Sequence, residues 1–288
     1  MRRRGDSKGQ YIPNGVKAII FIFPSFIGVI IFSLFPLINV IKNSFFNSFT
    51  GEWVGIENYK LVLNNFAFQL AIKNMVIFMV LSIPLLCVMS LVFAWWIENI
   101  DLMKNFIKTS FLIPMILPVS AVVLLCQITF DSNGFLNRIT QTNGIDWINS
   151  SYAIYALVGI YVWKNIGYTI LLWCAALEQI PMEVYEVAAL DGANKMQQFC
   201  FITIPHIKPS GFIIVVISIV NSFKVFRESY LLSGNYPHES IYMTQNIFNN
   251  WFIELAIDKI SAGAMMIVIV IAIFVWGLER YWEKGGKI

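Results

Sequence analysis

The chain has 288 residues, of which 58% are hydrophobic and only 13% are charged, and its net charge is +3. A soluble domain carries about 25% charged residues, so this surface cannot all face water. The net charge is too small to indicate nucleic-acid binding. Composition therefore favours one membrane domain over the two soluble domains that the length alone would allow.

Six apolar runs are long enough to cross a bilayer, which takes about 20 helical residues. They cover residues 18–41, 70–97, 106–130, 151–177, 209–232 and 260–282. Prolines fall within the first three runs, and a packed membrane bundle tolerates them because neighbouring groups satisfy the freed carbonyls. The first run is too long for the core of a signal peptide, so we interpret it as an uncleaved span. The sequence predicts an all-α membrane protein with about six transmembrane helices.

Lysine and arginine residues set the orientation of such a chain. Twelve of the 20 lie on the side that holds both termini, five lie on the other side, and three lie within spans. Both termini are therefore expected in the cytoplasm. The predicted layout is a cytoplasmic tail at 1–17, a membrane domain at 18–282 with a cytoplasmic loop at about 178–208, and a second tail at 283–288.

The loop between the fourth and fifth runs differs in composition from its surroundings. Pro181 can begin a helix, and Glu183 and Glu186 favour the positive end of its dipole. Small residues then recur at three- and four-residue spacing, which lets another surface approach the backbone closely; they are Ala188, Ala189, Gly192 and Ala193. The pattern fits a docking element, or alternatively a helix lying on the membrane surface.

Polar groups also recur inside two of the apolar runs, where they are costly. One helical face of the fourth run carries Tyr161, Lys164, Asn165 and Tyr168, and one face of the fifth carries Ser218, Asn221, Ser222 and Val225, followed by Ser229. These faces predict either the lining of a hydrophilic cavity or contacts between helices. In the second case Lys224 and Glu228, four residues apart, would form an ion pair.

Three cations lie at or near membrane depth, namely Lys164, Lys224 and Arg227. If Glu228 neutralises Lys224, up to two positive charges remain, and a buried unpaired charge is costly. They would reach water, pair with a partner subunit, or face an acidic solute.

The cytoplasmic loop resembles the EAA loop of binding-protein-dependent ABC importer permeases. Glu186-Val187-Ala188-Ala189 is followed by Gly192 and, after nine intervening residues, by Ile202-Thr203-Ile204-Pro205. Val187 and Ile204 are mild departures from the family pattern. Gly55-Ile56-Glu57-Asn58-Tyr59, Phe23-Pro24-Ser25 and Gly134-Phe135-Leu136-Asn137 are similar to motifs of the family's maltose-type sugar branch.

The resemblance implies the type I ABC importer permease fold and the uptake of sugars, with an oligosaccharide as the expected solute. It assigns ATPase coupling to Glu186, Ala188, Ala189, Asp191, Gly192 and Ala193. It also matches residues 161–168 and 218–225 to stretches that line the sugar site. Glycerol phosphate or another polar solute is the alternative within the family, and an ion-coupled secondary transporter is the alternative outside it.

The resemblance further implies partners: a homologous second permease, two ATPase subunits that bind ATP, and an extracytoplasmic solute-binding protein. The chain itself has no G-x-x-x-x-G-K-[ST] loop to cradle a phosphate. No metal site is expected, since the four cysteines and two histidines lack metal-ligand spacing. No cofactor is expected in this chain, and no catalytic residue is expected because a transported solute undergoes no chemical change. The expected location is the plasma membrane of a bacterium.

Overall fold

Helices account for most of the chain in the computed structural model, which describes residues 14–100, 103–141 and 144–285. Those residues form no β-strand, and their one isolated β-bridge joins Phe46 to Trp53. Both cytoplasmic tails predicted from the sequence extend into residues outside the described ranges. The helical content confirms the all-α prediction.

Six described helices are long and apolar enough to cross a membrane, and they are called spans 1 to 6 here. They are Phe21–Asn43, Phe66–Glu98, Val119–Thr140, Ala153–Leu177, Lys195–Ser233 and Ile257–Arg280. Spans 1, 2, 4 and 6 begin and end within four residues of the predicted ranges. Spans 3 and 5 differ from the prediction, each for an identifiable reason.

The apolar run at 106–130 is not one helix. It contains the short helices Lys104–Ser110 and Ile113–Ile116 before the helix Val119–Phe130 begins. Pro118 lacks a backbone N–H and disfavours a helical conformation in the residue before it; Leu117 is accordingly extended, with ψ 134°. The prediction of an uninterrupted third span is therefore wrong.

Span 5 begins at Lys195, well before the predicted start at residue 209. Its 39 residues correspond to a length of about 58 Å at 1.5 Å per residue, whereas the hydrocarbon core is about 30 Å thick. Part of this helix must therefore lie outside the membrane. The helix contains a π-helical turn, Phe199–Thr203, and a 3₁₀ turn, Phe223–Val225.

Both π-helical turns of the described chain lie just before a proline. Ile30–Leu34 precedes Pro36, and Phe199–Thr203 precedes Pro205. A proline ring clashes with the carbonyl four residues earlier in a regular α-helix and cannot donate to it. A widened turn at that position accommodates the ring without ending the helix.

Span 4 lies at the centre of the larger compact unit, which comprises Leu63–Leu255 and the residues from Val268. It is the most buried of the six spans, and it packs along span 2, with Phe78 edge-on to Tyr161. The backbone at Phe111 approaches Gly167 so closely that an added Cβ would lie 1.8 Å from the Phe111 carbonyl oxygen. A side chain at position 167 would therefore separate these segments.

The smaller unit comprises the residues up to Val62 together with Ala256–Ile267. Its main loop is held by Asn58, which is buried and donates from Nδ2 to the carbonyls of Ser44 at 3.1 Å and Phe46 at 3.0 Å. In the larger unit Asn137 holds a loop in the same way, donating to the carbonyls of Asp131, Ser132 and Ile145. Two motifs that carried the family resemblance thus have structural roles.

Candidate functional site

A cavity of about 260 Å³ lies between spans 4 and 5 and the break that precedes Val119. Span 4 contributes the polar side chains of Tyr161, Lys164 and Asn165. The lining residues are Met115, Leu117, Pro118, Val119, Ile160, Tyr161, Lys164, Asn165, Asn221, Lys224, Val225, Arg227 and Glu228. The structure therefore contains a cavity on the polar faces that the sequence suggested.

Of the eight residues assigned to solute binding, five line this cavity: Tyr161, Lys164, Asn165, Asn221 and Val225. Tyr168, Ser218 and Ser222 are not among its lining residues. The hydroxyls of Ser218 and Ser222 bond to carbonyls of their own helix, at Ile214 and Ile219. These two serines are buried between helices, as the alternative of helix contacts proposed.

The polar face predicted on span 5 divides between the cavity and the helix packing. Asn221 and Val225 line the cavity, whereas Ser218, Ser222 and Ser229 are buried. The α-helix ends at Ser222 and a 3₁₀ turn follows at Phe223–Val225. The charged residues at and after this turn also line the cavity; they are Lys224, Arg227 and Glu228.

Glu228 forms its ion pair with Lys164 of span 4. The predicted pairing of Lys224 with Glu228 is wrong, because Lys164 occupies Glu228. The Lys224 Nζ instead donates to Asn221 Oδ1 at 2.7 Å. Glu228 is only 3% exposed, and its second oxygen, Oε2, is buried without a hydrogen-bond partner.

Tyr161 lines the cavity, but its side chain is almost fully buried and its hydroxyl bonds another helix. It is only 3% exposed, and its hydroxyl donates to the Ser218 carbonyl oxygen at 2.8 Å, joining span 4 to span 5. Asn165 donates from Nδ2 to the Tyr161 carbonyl oxygen at 2.8 Å. The Asn165 side-chain oxygen therefore remains an acceptor beside the cavity.

The cytoplasmic loop predicted from the sequence contains the helix Met182–Leu190, called the loop helix here. None of its residues is buried, and Leu190 is 88% exposed. Glu186, Ala189, Asp191 and Gly192 are exposed, and Ala188 and Ala193 are half-buried. The residues assigned to coupling thus lie at or next to an accessible surface.

Gly192 ends the loop helix in a left-handed conformation, with φ +87°. The Ala193 N–H donates to the Ala188 carbonyl at 2.9 Å, and the Gly192 N–H donates to the Ala189 carbonyl at 3.1 Å. This arrangement is a Schellman motif, which satisfies carbonyls at a helix end and favours glycine at this position. Asn194 and Gln197 then form a capping box that begins span 5.

Tyr185 fastens the loop helix to span 5, because its hydroxyl lies 2.8 Å from the Thr203 Oγ1. A second cavity, of about 360 Å³, lies beneath the loop helix among residues of spans 2, 4 and 5. The loop helix is therefore hydrogen-bonded to span 5 and lies beside a cavity.

Four charges cluster where span 2, the helix Lys104–Ser110 and span 4 end. Glu98 bonds to Lys104, and it lies 2.9 Å from the Lys108 Nζ. Glu178 lies 3.2 Å from the Lys104 Nζ and 3.1 Å from the Lys108 Nζ. The hydrogen bonds from Lys108 and Lys104 hold the pKa of Glu178 below its usual range. The sequence alone does not indicate this cluster, because Glu178 lies 74 residues from Lys104 and 70 residues from Lys108 along the chain.

The described residues contain no group of three or more histidine, cysteine or acidic side chains that could hold a metal ion. All four cysteines are free. The chemistry that the site offers is hydrogen bonding and charge.

Residues 101–279 match the family described as the binding-protein-dependent transport system inner membrane component. The chain belongs to this family. It is a multi-pass membrane permease subunit and not an enzyme, and this membership removes the alternative of an ion-coupled secondary transporter. The resemblance stated from the EAA-like loop is thereby confirmed.

Named relatives cover almost the whole permease. The probable ABC transporter permease protein YurN of Bacillus subtilis is 30% identical, over 95% of this chain and 98% of the relative. The arabinooligosaccharides transport system permease protein AraP of the same species is 30% identical, over 90% and 85%. The sn-glycerol-3-phosphate transport system permease protein UgpA of Agrobacterium fabrum is 24% identical, over 94% and 96%.

The fold of the permease matches solved transporter structures. A bacterial ABC transporter involved in the import of the acidic polysaccharide alginate has a chain with a TM-score of 0.79 and 20% identity, covering 94% of this chain and 98% of that one. The alginate transporter in complex with a pentasaccharide-bound periplasmic protein gives a TM-score of 0.80 at 19% identity. These matches confirm the ABC importer permease fold.

Proposed function

We propose that this permease forms one half of the translocation pathway of an ATP-driven importer of oligosaccharides. The observation that carries the proposal is the cavity between spans 4 and 5, where Asn165, Asn221 and Glu228 place amide and carboxylate groups at membrane depth. Such groups bond the hydroxyls of a sugar. Relatives over most of the chain are named for arabinooligosaccharides and for starch degradation products, which supports this solute class.

The residues proposed to meet the solute are those that line the cavity with free polar atoms. Asn165 and Asn221 would bond sugar hydroxyls, and the unfilled Oε2 of Glu228 would accept from one. Lys164 holds Glu228 in place. Tyr161, Tyr168, Ser218 and Ser222 would act through helix packing rather than through contact with the solute.

The importer would be assembled from this permease, a homologous second permease, two ATPase subunits and an extracytoplasmic solute-binding protein. The loop helix supports ATPase docking, because it offers an accessible surface next to the small residues Ala188, Ala189 and Gly192. ATP would be bound by the ATPase subunits. One alginate transporter structure includes a pentasaccharide-bound periplasmic protein, which supports a solute-binding partner.

The charge bias supports a topology in which both termini and the loop between spans 4 and 5 face the cytoplasm. The proposed layout remains a tail at 1–17, a membrane domain at 18–282 with its coupling loop at about 178–208, and a tail at 283–288. Because span 5 begins at Lys195, the second half of that coupling loop would be the cytoplasmic end of a transmembrane helix.

The test is solute depletion by cells of the source bacterium with and without this permease. Both strains are offered a mixture of oligosaccharides and, separately, sn-glycerol 3-phosphate, and mass spectrometry follows the medium. We expect the deletion strain to leave a set of oligosaccharides that the wild type consumes. Loss of glycerol phosphate uptake alone would instead favour the solute named for UgpA and would overturn the proposal.

A further inference from the structure

The charges that line the cavity do not cancel. Lys164 and Glu228 neutralise each other through their ion pair. Lys224 and Arg227 line the same cavity. Lys224 bonds only the neutral amide of Asn221, at 2.7 Å, and no ion pair joins Arg227 to any described residue. The permease therefore presents an excess of two positive charges to this cavity.

The backbone adds a further positive contribution at the same place. The helix Val119–Phe130 begins at the cavity, with Val119 in the lining. Pro118 occupies its N-terminal cap and makes no side-chain hydrogen bond to it. The first N–H groups of a helix have no partners within it and carry the positive end of its dipole, so they favour an anion.

The buried cation of the cavity, Lys164, is neutralised by a carboxylate, whereas the exposed cations are not. Lys164 is largely buried and has a carboxylate partner from another helix. Lys224 and Arg227 are exposed and line the cavity, and they have no carboxylate partner within the described residues. They also lie three residues apart on one helix, where like charges repel. An anion between Lys224 and Arg227 would supply the missing negative partner and would offset their mutual repulsion.

We propose that the cavity recognises an acidic group on its solute, with Lys224, Arg227 and the first turn of the helix Val119–Phe130 facing a carboxylate, phosphate or sulfonate carried by a sugar. This inference rests on the proposed function and narrows it to acidic sugars. The orphaned Oε2 of Glu228 completes the site, since it would accept from a hydroxyl of the same solute.

The experiment offers the source bacterium hydrolysates of glucuronoxylan and pectin, which contain neutral and uronic-acid oligosaccharides together. Mass spectrometry compares depletion by the wild type and by the deletion strain. The variants are Lys224→Gln with Arg227→Gln, the charge-conserving pair Lys224→Arg with Arg227→Lys, and Lys60→Gln as a control outside the cavity. Immunoblots of membranes report the amount of each protein.

We expect permease-dependent depletion to consist of acidic oligosaccharides. The double glutamine variant should raise KM for them at least tenfold, while the charge-conserving pair and Lys60→Gln retain uptake within about twofold of the wild type. Permease-dependent uptake of neutral oligosaccharides alone would overturn this inference and leave the proposed function intact. If uptake is of neutral oligosaccharides alone and the double glutamine variant also fails to assemble with its partners, we would infer that Lys224 and Arg227 contact a partner subunit.

Unchanged acidic uptake by a glutamine variant that reaches the membrane normally would also overturn the assignment. If neither double variant accumulates, the comparison of wild type and deletion decides the solute class alone. Absence of any permease-dependent sugar uptake would overturn the proposed function itself, and this inference with it.

Discussion

At the scale of single residues, the Lys164–Glu228 ion pair joins spans 4 and 5 at the cavity. Both side chains are largely buried and come from different spans. Removing one partner of a buried pair leaves an uncompensated charge and costs about 3–5 kcal/mol, whereas replacing both is often nearly neutral. The pair therefore couples spans 4 and 5 through the energetics of burial, even if neither residue contacts a solute.

Lys164→Gln is expected to destabilise the permease by about 3 kcal/mol, because it leaves Glu228 charged and buried. The double variant Lys164→Gln with Glu228→Gln should recover most of that loss. Thermal unfolding of the purified importer in detergent measures both, with Lys73→Gln, which is exposed on span 2, as the control. Equal destabilisation by the single and double variants would contradict the pairing.

The loop helix supplies a second test at the residue scale. Glu186→Lys reverses a charge on its exposed surface, and Gly192→Val forces a branched side chain into a left-handed conformation at a cost of about 1–2 kcal/mol. We expect both permeases to insert normally but to lose the ATPase on co-purification. Glu183→Lys, on the same helix but outside the EAA-like pattern, is the control. Retention of the ATPase by both variants would mean that docking occurs elsewhere.

At the scale of elements, the sequence predicted the spans well and the irregular turns poorly. An apolar run of about 20 residues is a local property, so spans 1, 2, 4 and 6 follow directly from it. Whether Pro118 ends a helix or is accommodated in one depends on the packing around it, and Pro36, Pro84 and Pro205 are accommodated.

The same distinction between local sequence pattern and packing explains which residues of the candidate site line the cavity. Lys164 and Asn165 follow the period of the regular helix of span 4, and both line the cavity. Ser218 and Ser222 are buried instead, because the period of a helix does not show which of its faces packs against a neighbouring helix. The partner of Glu228 lies 64 residues away, and no periodicity within one helix could identify it.

The close approach at Gly167 gives a prediction with a control on the same helix. Gly167→Ala places a Cβ 1.8 Å from the Phe111 carbonyl oxygen, so the segments must separate. Overpacking of this kind typically costs about 1–3 kcal/mol. Gly159→Ala adds the same atom where nothing lies within 4 Å, and it should be neutral or slightly stabilising. Membrane yield and unfolding temperature compare the two, and similar values would contradict this packing.

The charge cluster at the ends of spans 2 and 4 gives a pH dependence. The hydrogen bonds from Lys108 and Lys104 lower the pKa of Glu178 from its ordinary value of 4.5. Its contribution to stability is therefore present above that value and is lost as the pH falls through the lowered pKa. Because Glu178 is half-exposed, solvent screening keeps the effect small.

Glu178→Gln should lower the unfolding temperature slightly at pH 7. That difference from the wild type should shrink as the pH falls below 4.5, since protonated glutamate and glutamine both lack the charge. Unfolding scans across this range measure it. A difference that stays constant with pH would assign the loss to packing instead.

At the scale of the whole molecule, the six spans and the charge bias define a topology. In a variant without its four native cysteines, Met196→Cys should be protected from an impermeant thiol reagent in intact cells and labelled after lysis. Asn149→Cys, at an exposed position between spans 3 and 4, should be labelled from outside. Met196 is 68% exposed, so protection would not reflect burial. The reverse pattern would invert the proposed orientation.

Span 5 has a mechanical consequence at this scale. A single helical rod runs from Lys195, beside the loop helix, to Ser233, and it carries Lys224, Arg227 and Glu228 near its far end. Glu228 is 33 residues beyond Lys195, a distance of about 50 Å along the axis. Helices resist stretching but bend where their hydrogen bonding is irregular, so bending would concentrate at the turns Phe199–Thr203 and Phe223–Val225. A displacement of the loop helix would then be transmitted to the cavity by the rigid α-helical segment between these two turns. Insertion of one residue into that segment would rotate its two ends relative to each other by about 100°.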